Sequence, residues 1–549
     1  MSNKRVLIIG LDGGTLDVIE PWAEAGHLPN FRRLLREGCS GRLKSTIPAL
    51  SPPAWTSFMT GVNPGKHGLF DFLKRRPGSY ELQPVRNDLP SLDTMFAWAS
   101  RHGRRVGVLN VPMTYPPEWV NGFMVSGLGA PDDVDYAYPA GLADELRASG
   151  YRINNAIVYE PGREDAFIRD VMDTTDRRAE VALQLMNREP WDLFTVVFRN
   201  LDGVLAFLWA FMDETHPRHD PQLGERYGDA VLRYHQLLDR RLGDFLAAVD
   251  DNTVVLIMSD HGGGPLYKEV YLNVWLQQEG FQRLRQGVGA VSGARAMLRR
   301  AGLTRESLTQ LVGWRNVNRM KDQLPAWLTA MVPRATPDIA EVVDWSQTLA
   351  YSFGYIGQIY INLRGREPHG IVQPGSEYRR VVDEIVGRLW ELEDPETGER
   401  VVDAIYLRDD IYHGPHAHEG PDINVTMRGM SYISHLGLEF VGEQVFGPAP
   451  NYETGTHRQY GMLVVWGPGV RQGHIENVEI IDLAPTILHM LGVPVPEDMD
   501  GRVLGELYEG NVRPAERVSR EPAGGGPADL AGDEEAQILE RLKKLGYLG

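Results

Sequence analysis

Four short apolar, β-branched runs, residues 6–11, 193–198, 253–258 and 462–466, constrain this chain more than anything else in it. Each has the length of a buried strand, ends in a polar or glycine-rich loop, and is separated from the next by stretches with helical spacing. Parallel neighbours need a crossover connection, usually a helix. The alternation therefore predicts an α/β fold with a central, mostly parallel sheet flanked by helices. In such sheets ligands collect beyond the carboxyl ends of the strands, so chemistry is to be sought just after each run.

Three aspartates stand there. Asp12 follows VLIIGL, Asp202 follows LFTVVFRNL, and Asp260 follows TVVLIMS and is itself followed by His261. One aspartate at a strand end is commonly a turn or helix-capping residue. Three carboxylates and an imidazole converging on one sheet edge are better explained as ligands of a divalent cation. Oxygen and nitrogen donors without thiolate suit zinc, manganese or iron. The single cysteine, Cys39, excludes an intrachain disulfide and any multi-cysteine metal centre, and it suits a reducing compartment.

A candidate nucleophile lies in STIPALSPPAWTSFMTG, residues 45–61. Pro52 and Pro53 suit the first turn of a helix, which puts Ser51 at the N-cap, against the positive end of the helix dipole. A nearby metal activates a hydroxyl held in that position. Thr46 and Thr56 are the rival hydroxyls.

Taken together, GLDGGT (10–15), SPPAWTSFMTGVNPGKHGLFDF (51–72), MSDHGG (258–263), GTHRQYG (455–461) and DLAPTILHMLGVPVPEDMDGRVL (482–504) resemble the alkaline phosphatase superfamily. Within it, they are most similar to the type I phosphodiesterase/nucleotide pyrophosphatase branch. The resemblance implies an alkaline-phosphatase-like core and hydrolysis of phosphodiesters or phosphomonoesters through a phosphoserine intermediate. It also implies two divalent ions, zinc first among the candidates, bridging a phosphoryl group. By the same matching the catalytic nucleophile is Ser51. Asp12, Ser51, Asp260 and His261 surround the ion on the nucleophile side, while Asp202 and His457 hold the second.

Two positions depart from the family pattern. A histidine is expected four residues after Asp202, on the same helix face. Ala206 stands there instead, and a methyl group binds no metal. The second site is therefore expected to be weakened, and the alternative reading is a non-catalytic member that binds a phosphorylated ligand or partner. His216 would lie roughly 20 Å along a continuing helix and is a poor substitute. His413, His416 and His418, in YHGPHAHEG, form a loop cluster that could approach from elsewhere. The second departure is Phe72, which occupies the place of a phosphate-holding asparagine in nucleotide pyrophosphatases, so a nucleotide substrate is not implied.

At 549 residues the chain exceeds one simple domain. It divides into a catalytic core over 1–266 and 346–509, a basic helical insertion or cap over 267–345, a Pro/Gly-rich flexible linker over 510–532, and a C-terminal helix over 533–549. That last helix carries an apolar stripe of Ile538, Leu539, Leu542 and Leu545. The net charge of −18 conceals an asymmetry, because residues 281–335 hold ten basic and two acidic side chains, net +8, which leaves −26 elsewhere. The acidic body argues against general nucleic-acid binding. The basic segment suits a phosphorylated small molecule or lipid-linked phosphate, and peripheral contact with an anionic membrane. With no apolar run near the roughly 18–20 residues of a bilayer span and no secretory leader pattern, the expected location is cytoplasmic.

Overall fold

The computed structural model describes residues 4–85, 92–131, 134–285, 339–434, 442–449, 452–510, 514–519, 537–540 and 542. Among these, a ten-stranded sheet forms the centre. Thr253–Met258, Arg5–Leu11, Leu193–Phe198, Val106–Val111 and Gly122–Ser126 lie side by side in that order, all parallel. Tyr460–Trp466, which contains the fourth apolar run, joins the Thr253–Met258 edge and runs antiparallel to it and to Cys39–Lys44 beyond.

The runs are continuously apolar because both faces of the sheet are covered. Along the first strand Leu7, Ile9 and Leu11 enter one core while Val6 and Ile8 enter the other. Helices Leu16–Glu24, Pro29–Glu37, Glu164–Arg188, Asn200–Met212 and Ala230–Ala248 build the first core. Ser51–Thr60, Met95–Arg101 and Leu483–Met490 build the second. Gly10 allows helix Ser51–Thr60 to press on the sheet, since a Cβ there would lie 2.7 Å from the Trp55 ring and 2.9 Å from Val197.

A second sheet of seven strands is mostly antiparallel and includes Lys268–Val270, Ala350–Ser352, Gln358–Ile361, Val402–Leu407 and Ile423–Met427. Helix Ser376–Trp390 covers it through Val381, Val382, Ile385 and Leu389. An antiparallel ribbon, Gly262–Pro265 with Gly455–Arg458, carries the chain from the central sheet towards this second sheet and back.

Of the span 267–345, residues 267–285 and 339–345 are described. They contribute the Lys268–Val270 strand and helices Leu272–Gln278 and Ile339–Val342, and Val270, Leu272, Trp275 and Leu276 belong to the core of the second sheet. Residues 286–338, with eight of the ten basic side chains counted above, lie outside the described residues. Most of 510–532 lies outside them too, as does Leu545. Ile538 and Leu542 are buried in one cluster with Leu50, Phe72 and Tyr355. No helix of the described residues is long and apolar enough to cross a membrane.

Candidate functional site

Parallel register brings the aspartates together from distant parts of the chain. Gly10 lies opposite Val197 on one side and Met258 on the other. Asp12 and Asp260 therefore leave the same sheet edge, and Asp202 sits in the first turn of helix Asn200–Met212, which starts there. The ribbon does the equivalent for the histidines. It pairs Gly263 with His457, so His261 and His457 lie ring on ring, with centroids 3.6 Å apart and planes inclined by 17°. Asp12, Ser51, Asp202, Asp260, His261 and His457 are all buried.

Two overlapping groups result. Asp12, Asp260 and His261 form one, and Asp202, His261 and His457 the other, each with donor atoms within 4.8 Å of one another. Ser51 joins the first, its Oγ 3.3 Å from His261 Nε2. It is the first helical residue, with Leu50 rather than Ser51 in the capping position. Pro52 and Pro53 follow at positions whose missing N–H groups have no helical partner to lose. The rival hydroxyls are placed differently: Thr46 Oγ1 donates to the Pro48 carbonyl at 2.8 Å, and Thr56 is buried within the helix.

Tautomers follow from the ring partners. His261 Nδ1 lies 3.1 Å from the Gly262 carbonyl oxygen, and His457 Nδ1 lies 2.9 Å from that of Ala49. A carbonyl only accepts, so each Nδ1 carries the proton and each Nε2 presents a lone pair. Burial lowers both imidazole pKa values, that of His457 to about 4, and so keeps the rings neutral.

The lone pairs face carboxylate oxygens. His261 Nε2 is 3.3 Å from Asp260 Oδ2 and 3.7 Å from Asp12 Oδ1, and His457 Nε2 is 3.5 Å from Asp202 Oδ1. Asp12 Oδ1 and Asp260 Oδ2 have no hydrogen-bond partner among the described residues. Their other oxygens are oriented by Trp55 Nε1 at 3.4 Å and the Gly13 amide at 3.2 Å. Burial, then the charges of Asp260 and Asp202, holds the Asp12 carboxyl well above its ordinary pKa, and burial raises that of Asp260 as well. Buried carboxylate oxygens and imidazole lone pairs gathered this closely fit a divalent cation.

Beside the second group lies a pocket lined by Asp202, Ala206, Tyr355, Glu453 and His457, among others. Ala206 brings only its methyl to this wall. His216 is engaged elsewhere: its Nε2 is 2.8 Å from the Leu266 carbonyl and its Nδ1 accepts from the Arg218 amide at 3.0 Å. Neither group includes His413, His416 or His418. They face Asp500 at 3.4 Å, Glu419 at 2.8 Å and the Pro415 carbonyl at 3.0 Å respectively. Phe72 packs into the apolar cluster around Leu50 and Tyr355.

Glu453 is the side chain that sequence reasoning misses. It is buried, its Oε2 accepts from the Tyr355 hydroxyl at 3.0 Å, and burial pushes its carboxyl pKa up to about 8. It lies two residues before the Gly455–Arg458 strand, and nothing local in the sequence marks it.

A model of the type I phosphodiesterase/nucleotide pyrophosphatase family matches residues 6–435, more than three quarters of the chain. No curated protein matches it. Among solved structures, phosphonoacetate hydrolase from Sinorhizobium meliloti 1021, in complex with phosphonoformate, aligns over 89% of this chain and 96% of its own, with 13% identity and a TM-score of 0.51. Human ectonucleotide pyrophosphatase/phosphodiesterase 5 aligns over 92% of this chain and 100% of its own, with 12% identity and a TM-score of 0.45. At these identities the hydrolase from Sinorhizobium meliloti speaks for a shared fold alone. Given the span of the family model, the chain belongs to the type I phosphodiesterase/nucleotide pyrophosphatase family of the alkaline phosphatase superfamily.

Proposed function

We propose that this protein hydrolyses phosphate esters in a metal-dependent reaction with Ser51 as nucleophile. Family membership supports the hydrolase class. The observation that carries the rest is the meeting of Ser51 Oγ, His261 Nε2 and the unpartnered oxygens of Asp12 and Asp260 in one buried cluster. Asp12, Ser51, Asp260 and His261 would hold one divalent ion, and Asp202 and His457 a second. The donor set puts zinc first, with manganese or iron as alternatives. Such ions supply Lewis-acid stabilisation of charge on the phosphoryl oxygens.

The chain's own residues do the positioning. Ser51 opens a helix in which every residue is buried, so its hydroxyl loses little freedom on reaching the transition state. Pro52 and Pro53 carry no N–H and the Ala54 amide is taken by the Leu50 carbonyl, so what favours negative charge at the reacting oxygen is the dipole of the helix as a whole. The Trp55 and Gly13 hydrogen bonds fix the outer oxygens of Asp12 and Asp260 and turn the inner ones to the cluster. Attack of Ser51 Oγ on phosphorus releases the alcohol and leaves phosphoserine, which water then cleaves to regenerate the serine. Ser51→Ala should lower turnover of aryl phosphomonoesters and diesters by about a thousandfold or more. Full activity in that variant sinks the mechanism.

Ala206 favours a second reading, a non-catalytic member that binds a phosphorylated ligand or partner. Ala206→His separates the two: a large gain in bound metal and rate marks a degenerate site, and no change marks an alternative ligand. The charge pattern suggests a phosphorylated small molecule or lipid-linked phosphate as substrate, handled in the cytoplasm, with the basic segment against an anionic membrane. Failure to bind anionic liposomes at low salt removes the support for membrane contact.

A further inference from the structure

We infer that Glu453 provides, at the second ion position, the donor that Ala206 does not, giving an Asp202, His457 and Glu453 site. This rests on the two-ion reading above and assigns one further residue to it.

The argument starts from backbone contact. The segment leading to His457 is clasped to helix Asn200–Met212: the Thr454 amide donates to the Ala206 carbonyl at 2.7 Å, and Thr454 Oγ1 accepts from the Ala210 amide at 3.1 Å. At Gly455 the approach is closer still, since a Cβ there would lie 2.2 Å from the Leu205 carbonyl oxygen. Glu453 therefore enters the pocket beside the position where the family pattern expects a histidine, and it lines that pocket together with Asp202, Ala206 and His457.

The positive charge of Arg218 acts on Glu453, yet no ion pair joins the guanidinium to its carboxyl. One carboxyl oxygen takes a neutral phenol hydroxyl, from Tyr355 at 3.0 Å. The nearby Arg218 spends its Nη1 on the main-chain carbonyl of Glu453, at 2.7 Å. A buried carboxylate held close to another buried carboxylate is costly unless a proton or a cation neutralises the pair. Glu453 is not one of the three residues whose donor atoms lie within 4.8 Å of one another, so it reaches an ion by rotation about its three side-chain bonds. The chemistry also balances. With Glu453 each position has two carboxylates and one imidazole, and an oxygen donor in place of nitrogen moves the second position towards harder ions such as manganese.

The test is metal loading of the full chain. Wild type, Glu453→Gln and Glu453→Gln/Ala206→His are dialysed against Zn²⁺ or Mn²⁺, and bound metal per chain and the affinity of each ion are measured. Wild type is expected to hold two ions. Glu453→Gln should keep the first and bind the second at least about a hundredfold more weakly, and the double variant should regain it with a shift in preference from Mn²⁺ to Zn²⁺. Should Glu453→Gln fail to fold, Glu453→Asp shortens the reach by one methylene and should weaken the second ion alone. Unchanged second-ion affinity in the glutamate variant that folds overturns the inference. Wild type loading a single ion also overturns it while leaving the Ser51 reading intact, and wild type loading none overturns both.

Discussion

The two donor groups at the sheet edge are assembled by different means. Asp12 and Asp260 issue from adjacent parallel strands, and a single register, with Gly10 opposite Met258, brings them together. The Trp55 and Gly13 hydrogen bonds fix their outer oxygens, and the Gly262 carbonyl fixes His261. Asp202 and His457 come instead from a helix and a ribbon, and only the packing of one on the other relates them. A group on neighbouring strand ends inherits its geometry from the sheet. One assembled across separate elements depends on local contacts, and a ligand there can be lost or replaced without disturbing the fold.

That contrast breaks most readily at Asp260. Asp260→Asn should lower first-ion affinity and turnover by about a thousandfold or more, read by metal titration and phosphoester assay. If the variant keeps both, the strand-end group is not the centre of the chemistry.

Acid should also act on the strand-end side. His67 accepts the Leu69 amide at Nδ1 at 3.1 Å, so its Nε2 donates to Ser57 Oγ, at 3.0 Å, beneath the helix that carries Ser51. Burial lowers its pKa to about 3. The unfolded chain takes up this proton below about pH 6.5 and the folded chain does not, so His67 costs no stability above that pH and progressively more as pH falls towards 3. Roughly 2–3 kcal/mol should be lost by about pH 4.5, and His67→Asn should flatten that acid limb in urea unfolding.

Gly10 tests the same side through packing. Gly10→Ala forces the Trp55 ring off the strand, with an expected cost of about 1–3 kcal/mol and weaker first-ion binding at unchanged second-ion binding. Thr454→Val acts on the other side. Loss of its hydrogen bond to the Ala210 amide should cost about 1 kcal/mol and weaken the second ion alone. Equal effects on both ions in either variant would show that the two groups are one mechanical unit.

Legibility in the sequence follows the same division. The central strands read clearly because burial on both faces makes their apolar runs continuous, and the aspartates read because each follows such a run. Pro52 and Pro53 marked the helix start to within one residue. The shift matters chemically, because with Leu50 at the cap the Ser51 hydroxyl is not consumed as a capping group. The second sheet was illegible. Strands as short as Lys268–Val270 and Ala350–Ser352 hold too few residues to establish a period. His457 surfaced only through the family pattern, and Glu453 carries no local mark, since its position is created by the ribbon meeting the helix.

His261 belongs to both groups, yet its Nε2 has one lone pair to give. On the assignment proposed above that pair goes to the ion beside Ser51, so the second position has to be completed by Asp202, His457 and a donor from elsewhere. Ion uptake should then run in two unequal steps in a calorimetric titration, filled first on the side of the nucleophile.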